Sequence, residues 1–311
     1  MLSRTADALF WMGRYAERAG NLARGMQAAL RMSVLHQAAN QAEDWRHLLV
    51  ATGAEPGFAA RHAEPTREAV IAWLATDPAN PSSIASCIEL ARRNARSVRT
   101  ALTVDMWESL NDTWMELRQR RATGDELGFF LEWVRMRTLL FNGAAVDTML
   151  RNDAWRFVQL GVMLERADNT ARLLDSKHTT LDESGPTGAV EYLAWQALLR
   201  SVSALRAYQV LYNARLRPRL LAELLILRPE LPRSMLACHA QVSAVLEEIA
   251  REGGRRGACH DLAAEGHARL RQARIETVME AGLHDFLTES INRNLDLGRA
   301  ISEFYLGSGD A

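Results

Sequence analysis

The sequence of 311 residues predicts an all-α fold, a single helical-bundle domain, and three observations lead to this class. Apolar residues recur at intervals of three and four in most windows, which is the period of one face of a helix. Alternating stretches rich in Val, Ile and Thr, which would predict strands, are absent. Glycine and proline clusters divide the helical pattern into segments. A hydrophobic content of 48% is ample for a buried core.

The first predicted helix begins near Ser3, whose hydroxyl is suited to cap it, and continues into the thirties. Its apolar and small side chains recur at helical spacing, at Leu9, Met12, Ala16, Ala19, Ala23 and Met26. Later helix ends are predicted where glycine, proline or asparagine cluster, at or near residues 53–57, 77–81, 124, 142–143, 185–188, 218, 229–232 and 253–257.

Two of these breaks share the pattern Pro-x-x-Pro-x-Ser, at residues 78–83 and 229–234. A proline is favoured just before or at the first position of a helix, and a nearby serine can cap the helix. Pro81 and Pro232 are therefore predicted to mark the starts of two equivalent helices.

An eight-residue motif occurs twice. Residues 17–24 read ERAGNLAR and residues 165–172 read ERADNTAR, at an offset of 148. Trp45 matches Trp195 at an offset of 150, and the Pro-x-x-Pro-x-Ser segments match at 151. Three matches in the same order indicate a tandem duplication. We predict one domain over residues 1–311, built from two pseudo-twofold-related halves, roughly 1–150 and 151–311.

Four positions around each octamer share one stripe of a helix, because they are spaced by four, four and three residues. The glycine of the stripe lets another backbone approach closely, while the Glu, Asn and Arg offer an acceptor, a mixed group and a bidentate donor. The adjacent arginines, Arg18 and Arg166, face a neighbouring side. The stripes consist of Gly13, Glu17, Asn21 and Arg24 in the first copy and Gly161, Glu165, Asn169 and Arg172 in the second.

Three interpretations of these side chains stay open. In a structural network, Glu17 would pair with Arg172 or Arg166, and Glu165 with Arg24 or Arg18, between two packed helices. In a binding site, the groups would converge in a cleft between the halves and hold a carboxylate, a phosphate or a peptide end. Metal binding is the third, but no glutamate has the histidine three residues later that di-iron bundles use. We therefore expect no metal and no cofactor.

A basic stretch on another predicted helix, residues 92–99, adds Asn94 and Arg96 as candidates for the polar site. A solvated helix face with partners four residues away would explain the same pattern. We find no glycine-rich phosphate loop and no nucleophile elbow in the sequence.

The charge balance and the cysteines bear on partners and location. With 37 basic and 38 acidic residues, the net charge of −1 argues against a protein that holds nucleic acid through bulk positive charge. No run approaches the ~20 apolar residues of a membrane helix, and the charged N-terminus does not resemble a signal peptide. Cys87, Cys238 and Cys259 lack metal-site spacing. Cys87 and Cys238 occupy equivalent places in the repeat, and we expect both to be buried thiols, with a disulfide between them as the alternative. We expect a cytoplasmic protein that contacts neither nucleic acid nor membrane.

Short segments spread over most of the chain carry a family resemblance. They are MLSRTA at 1–6, WMGRY at 11–15, ERA at 17–19, NPSSI at 80–84, NARSVR at 94–99, MWE at 106–108, MLR at 149–151, WRF at 155–157, ERAD at 165–168 and PRS at 232–234. Together they resemble the bacterial alpha-E domain family, formerly a domain of unknown function. Gly20 and Arg93 depart from it, since glutamates are common there in such a family.

The resemblance implies an all-helical protein that acts beside a circularly permuted ATP-grasp protein and a transglutaminase-like protein in ATP-dependent amide or peptide bond formation. Two hypotheses follow. The protein is a non-catalytic accessory or scaffold that docks the ATP-grasp partner and presents a peptide or amino-acid ligand, with Arg24 and Arg172 on carboxylates. Alternatively, it is an enzyme with an unconventional helical active site, in which Glu17 or Glu165 is a general acid or base.

Overall fold

The computed structural model describes residues 2–35, 38–177 and 188–307, and throughout these ranges the regular elements are helical, with no strand. The predicted all-α fold is therefore confirmed. Short 3-10 turns lie at Arg99–Ala101 and Gly124–Glu126, and a π-helical turn at Ser302–Leu306. The α-helices are α1 Ser3–Leu35, α2 Ala38–Ala51, α3 Glu55–Ala59, α4 Arg67–Ala75, α5 Ile84–Ser97, α6 Val104–Leu117, α7 Leu127–Thr148, α8 Asp153–Asp175, α9 Ala189–Ser201, α10 Leu205–Tyr212, α11 Pro218–Leu227, α12 Met235–Gly253, α13 Ala258–Gln272, α14 Ile275–Ala281 and α15 Leu283–Ile301.

α1 and α8 form the central pair of the bundle, and they carry the two copies of the octamer. Their contact depends on glycine. A Cβ atom on Gly13 would collide with the carbonyl oxygen of Val158, and one on Gly161 would collide with that of Phe10. The two backbones therefore touch at equivalent positions upstream of the two octamers, as the sequence predicts for these glycines.

α5 packs on α1 and α12 packs on α8, so each octamer helix has an equivalent neighbour. Both neighbours begin at a Pro-x-x-Pro-x-Ser element, as predicted. The Ser83 hydroxyl accepts a hydrogen bond from the Ser86 N–H at 3.2 Å and caps α5. The Ser234 hydroxyl accepts from the Ala237 N–H at 3.0 Å and caps α12.

The three cysteines are buried free thiols, as expected for Cys87 and Cys238, and these two form no disulfide. Cys87 Sγ donates to the Ser82 carbonyl at 3.5 Å, and Cys238 Sγ donates to the Pro232 carbonyl at 3.7 Å. Burial raises the pKa of both of these thiols to about 12. They therefore stay protonated near neutral pH and are poor nucleophiles.

The predicted helix break at residues 142–143 is wrong, because α7 continues without interruption from Leu127 to Thr148. The Asn142 amide donates to the Thr138 carbonyl one turn earlier at 3.0 Å, so the side chain supports the helix. Phe141 and Ala145 are fully buried, and this packing outweighs the roughly 1 kcal/mol that Gly143 costs within a helix. Of the break predicted at 185–188, residues 185–187 lie outside the described part, and α9 begins after Gly188.

The apolar core has three clusters, one at the α1–α8 crossing and one on each side of it. Trp45 and Trp195, which match in the sequence repeat, are both buried, one in each outer cluster. These indoles fill core volume. Among the described helices, none combines the length and apolar character needed to cross a membrane.

Candidate functional site

The two octamers meet through reciprocal ion pairs between α1 and α8. Arg18 donates to Glu165, with Nε–Oε1 at 2.5 Å and Nη2–Oε2 at 2.9 Å. Arg166 donates to Glu17, with Nη2–Oε2 at 3.0 Å and Nε–Oε1 at 3.4 Å. The arginine of each copy thus binds the glutamate of the other, which is one of the pairings that the structural interpretation predicted.

Each glutamate has further arginine partners that the sequence interpretation missed. Arg14 Nε donates to Glu165 at 2.8 Å, and Arg233 Nη1 donates to Glu17 at 2.7 Å. Arg233 also reaches Asn21 Oδ1 at 3.1 Å. A signal for Arg233 was present, because it follows the proline of the second Pro-x-x-Pro-x-Ser element, at the position that Ser82 occupies in the first.

The arginine partners of Glu17 and of Glu165 form two similar networks, which differ in where the additional arginine of each comes from. Arg18 Nη1 donates to the Ser82 hydroxyl at 3.1 Å, whereas Arg233, at the matching position of the second repeat, places a guanidinium on Glu17. Arg14 supplies the extra cation for Glu165. Both carboxylates therefore receive at least two guanidinium groups, but from different parts of the two repeats.

Burial and charge together determine the ionisation of the two glutamates, which are 1% exposed at Glu17 and 6% at Glu165. Burial favours the neutral acid and would raise both pKa values. For Glu17, the charges of Arg166, Arg233 and Arg24 outweigh burial and hold the pKa far below its ordinary range. For Glu165, Arg18 and Arg14 do the same and lower the pKa to about 2. Both side chains are carboxylates near neutral pH, with weak basicity.

The last arginines of the two octamers bond within their own helices. Arg172 Nε donates to Asp168 Oδ2 one turn earlier at 2.7 Å. The matching position in α1 is Gly20, where a Cβ would lie 2.7 Å from Thr138 Oγ1, so a side chain does not fit without movement. Arg24 instead donates to Asn21 Oδ1 and, at 3.4 Å, to Glu17.

A cavity of about 40 Å³ lies between the two octamers and the α2–α3 and α4–α5 connections. Three buried polar atoms at its walls have no partner among the described residues: Asp168 Oδ1, Asn21 Nδ2 and Asn169 Nδ2. The space suits a few waters or one small polar group that both donates and accepts hydrogen bonds. Its polar lining comprises Arg18, Asn21, Thr52, Asn80, Ser82, Glu165, Asp168, Asn169 and Arg172. We call it the octamer cavity.

Several predicted site residues lie away from this cavity. Arg24 lines a separate cleft beside α7 and α10, whereas Arg172 lines the octamer cavity. The two equivalent arginines therefore face different cavities. Asn94 is half-buried and Arg96 exposed on α5, and neither lines the octamer cavity. Neither side chain makes a hydrogen bond or ion pair with another described residue. The structure therefore does not bring these two candidates to the motif.

The described residues contain no group of three or more His, Cys, Asp or Glu side chains arranged to hold a metal ion. Glu17 and Glu165, the acids of the predicted polar site, are each bonded to arginines. A cation would have to displace guanidinium groups from these carboxylates. The site as it stands is an arginine–glutamate network.

An open groove of about 660 Å³ runs between α6 and α7. Along it lie exposed apolar side chains of α7, with Met136 51%, Leu139 47% and Leu140 50% exposed. The lining of the groove has four acidic residues and a single basic residue, Arg137. Arg137 donates a hydrogen bond to the Thr113 hydroxyl and forms an ion pair with Glu116. The acids are Asp105, Glu108, Asp112 and Asp147. We call this the α6–α7 groove.

The family comparison matches nearly the whole chain. Residues 1–306 match the model of a family named Alpha-E, described as a predicted alpha-helical domain with a conserved ER motif. Curated relatives include uncharacterized proteins of Mycobacterium bovis and of Mycobacterium tuberculosis, each 25% identical over an alignment of 275 residues that covers 81% of this chain and 30% of the relative. A protein of a second M. tuberculosis strain is 24% identical over the same span. The chain thus spans less than a third of the relatives' length. No solved structure matches it.

Proposed function

The chain belongs to the Alpha-E family, and the two glutamates of its repeated motif form ion pairs with arginines. We therefore propose that it is a non-catalytic accessory or scaffold protein. It serves an ATP-grasp-dependent system that forms amide or peptide bonds. Its partners are a circularly permuted ATP-grasp protein and a transglutaminase-like protein. It works in the cytoplasm and requires no nucleic acid or membrane.

The observation that carries this proposal is the ionisation of the Glu165 carboxylate. A general base works best when its pKa lies near the working pH. The pKa of Glu165 is about 2, and that of Glu17 is also well below its ordinary range, because arginines surround both groups. Such carboxylates neither accept nor release a proton readily near pH 7. Their geometry suits a rigid interlock between α1 and α8, and a rigid body suits a scaffold.

The docking surface of the scaffold is the α6–α7 groove. Monomeric proteins seldom expose several large apolar side chains side by side, and such patches are typical of interaction surfaces. The acidic rim adds a preference for a partner surface with apolar and basic side chains. The relatives give independent support, because most of their length lies outside the matched segment. A domain of this kind therefore occurs next to other polypeptide in the same chain.

The octamer cavity is the place where the scaffold holds a small ligand group. The amide nitrogens of Asn21 and Asn169 are donors for a carboxylate, and Asp168 Oδ1 is an acceptor for an ammonium or amide N–H. Arg172 flanks them and carries a partly exposed guanidinium. This combination fits the end of an amino acid or peptide, and the cavity of about 40 Å³ admits only such an end.

We also infer that residues 1–150 and 151–311 arose by duplication and are related by a pseudo-twofold axis. The exchanged Glu–Arg pairs support this inference, as do the paired glycines at the α1–α8 contact. The serine caps of α5 and α12 occupy equivalent places. The boundary falls in the short connection between α7 and α8.

The alternative function is an enzyme that acts on peptides or amides through the helical Glu/Asn/Arg site. One observation favours it: Asp168 Oδ1 is buried at the cavity wall with no partner among the described residues, beside Asn169 and Arg172. If the protein is this enzyme, Asp168 Oδ1 contacts the substrate bound in the octamer cavity. Turnover by the purified chain alone, abolished by Asp168→Asn with an unchanged melting temperature, would establish the enzyme.

Co-purification tests the scaffold. The tagged chain is expressed with the circularly permuted ATP-grasp protein of the same genome and isolated with and without ATP. We expect a stable complex that Met136→Glu/Leu140→Glu disrupts, because these changes add charge to the exposed apolar face. The matched control is Val210→Glu/Leu211→Glu on α10, 65% and 39% exposed and outside the groove. Absence of a complex under every nucleotide condition would rule the scaffold out.

A further inference from the structure

A second cleft, of about 300 Å³, lies between α1, α7 and the α9–α10 connection. Five of its nine lining residues are arginines and one is a glutamate, so the lining carries a net charge of +4. It shares no residue with the octamer cavity. We call it the arginine cleft, and its lining is Arg24, Gln27, Arg31, Glu132, Arg135, Arg200, Ser203, Leu205 and Arg206.

The single acid of the cleft does not neutralise these arginines. Glu132 accepts hydrogen bonds from Arg135, with Nε–Oε2 at 3.0 Å, and from Gln27 at 3.1 Å. By contrast, the side chains of Arg200 and Arg206 make no hydrogen bond or ion pair with the rest of the described chain, and the same holds for Arg31. Arg31 acts on Glu132 through its charge alone. The guanidinium groups of Arg200 and Arg206 thus have no partner among the described residues, in a chain whose other arginines are often paired.

Arg24 provides a buried donor in the lining of the cleft. The residue is only 5% exposed, and its Nε–H has no partner among the described residues. Burial, and next the charge of Arg233, lowers the pKa of Arg24 to about 9, so the guanidinium is still protonated near neutral pH. A buried, unsatisfied charged donor is costly, and an anion at this position would satisfy it.

The N-terminus of α10 adds backbone donors at the same place. Leu205 and Arg206 are the first two residues of α10 and line the cleft, and no side chain caps the helix at Ala204. The first N–H groups of a helix lack partners within the helix and attract anions. Ser203, just before the cap, has a φ of +57° and closes α9, since the following Ala204 N–H donates to the Leu199 carbonyl at 2.7 Å.

We propose that the arginine cleft binds a multiply charged phosphate group, such as the pyrophosphate or phosphate of a small molecule. Arg200 and Arg206 contact it from the rim, Arg24 donates from below, and the N-terminus of α10 supplies backbone N–H groups. The net charge of +4 favours a ligand with two or more negative charges over a single carboxylate. The site is separate from the octamer cavity and does not depend on the scaffold role.

Calorimetric titration of the purified full-length protein with sodium pyrophosphate tests the proposal. We expect saturable binding that weakens as sodium chloride is raised, because salt screens exposed charges. Arg200→Gln/Arg206→Gln should weaken binding by about tenfold or more for each lost charge-assisted contact. Both arginines are exposed on the surface, and circular dichroism should show an unchanged fold.

The control variant is Arg61→Gln/Arg121→Gln, which removes the same charge from two exposed arginines outside the cleft. It should bind pyrophosphate as the unmodified protein does. Citrate distinguishes phosphate recognition from general attraction of anions, and we expect it to bind more weakly than pyrophosphate. No binding of pyrophosphate, equal affinity of the cleft variant and the unmodified protein, or tighter binding of citrate would each overturn the proposal.

Discussion

Arg18 on α1 donates two hydrogen bonds, of 2.5 and 2.9 Å, to the carboxylate of Glu165 on α8. The same octamer position in α8, Arg166, returns the contact to Glu17. These two ion pairs join the two copies of the octamer, which lie 148 positions apart in the sequence, at the centre of the bundle. The stability of the protein therefore depends on Glu17 and Glu165, the same glutamates that the sequence offers as candidate general acids or bases.

Removing the Glu165 charge should destabilise the protein strongly. In Glu165→Gln, Arg14 and Arg18 lose their anionic partner while they remain largely buried. Loss of one member of a buried ion pair costs about 3–5 kcal/mol. We expect the free energy of unfolding in urea, followed by circular dichroism, to fall by an amount of this order.

The matched control for this change is Glu247→Gln, which breaks the exposed pair of Glu247 and Arg256 on the surface. Exposed pairs contribute little, so its unfolding curve should lie close to that of the unmodified protein. Similar curves for Glu165→Gln and Glu247→Gln would contradict the interlock.

The glycine at the helix contact should not tolerate even one methyl group. In Gly161→Ala, the new Cβ collides with the carbonyl oxygen of Phe10, and backbone must move to relieve it. Overpacking of this kind costs about 1–3 kcal/mol or more. Thermal unfolding measured by calorimetry should show a clearly lowered melting temperature.

Gly143→Ala is the companion variant, with the opposite expected sign. Gly143 lies in the middle of α7, and no atom stands within 4 Å of its Cβ position. Alanine should raise the free energy of unfolding by about 0.5–1 kcal/mol, because it favours the helix over the unfolded chain. Equal effects of Gly143→Ala and Gly161→Ala would show that close approach is not the reason for glycine at position 161.

Acid should remove the contribution of the buried glutamates. The pKa of Glu165 is lowered from an ordinary 4.5 to about 2, because the charges of Arg18 and Arg14 outweigh burial. A depressed pKa in the folded state means stability that is present above about pH 4.5 and lost as the pH falls toward 2. At 1.36 kcal/mol per unit, this group accounts for about 3 kcal/mol.

Urea unfolding at a series of pH values between 7 and 2 measures this loss. Glu17 contributes with the same sign, because its pKa is also lowered by its arginines. Glu165→Gln should lose less stability over this range than the unmodified protein, since it has one group fewer to protonate. Parallel pH profiles for the two proteins would contradict the assignment to Glu165.

Local patterns in the sequence predicted the helices and several of their ends. Helix α1 begins at Ser3 as expected, but Ser3 does not cap it, because the Ala6 N–H donates to the Leu2 carbonyl and Ser3 already lies in the helix. The caps at Ser83 and Ser234 follow from prolines and serines a few residues apart. Capping depends on atoms within one turn, so sequence spacing is enough to find it. The break expected at Gly143 was wrong because α7 gains burial from distant helices, which a local pattern does not contain.

For the candidate site too, the sequence predicted some of the contacts and not others. The octamer predicted which side chains form a stripe, and one of its predicted pairings, Glu17 with Arg166, is present. Arg14 was not predicted as a partner of Glu165, and the pairing crosses 151 positions of the chain. Arg24 and Arg172 look equivalent in sequence, yet they face different spaces, because Asp168 binds one and Gly20 leaves the other without such a partner.

Spacing along the chain was sufficient to establish an all-helical protein, its repeated Glu–Arg motif and its capped helix starts, since each depends on residues within a few turns. Tertiary packing decided which arginine meets which glutamate, why both glutamates stay ionised while buried, and where unpaired arginines gather. These properties arise from atoms that are far apart in sequence and a few ångströms apart in space. Coulomb interaction and desolvation depend on that distance and burial, and residue order alone contains neither.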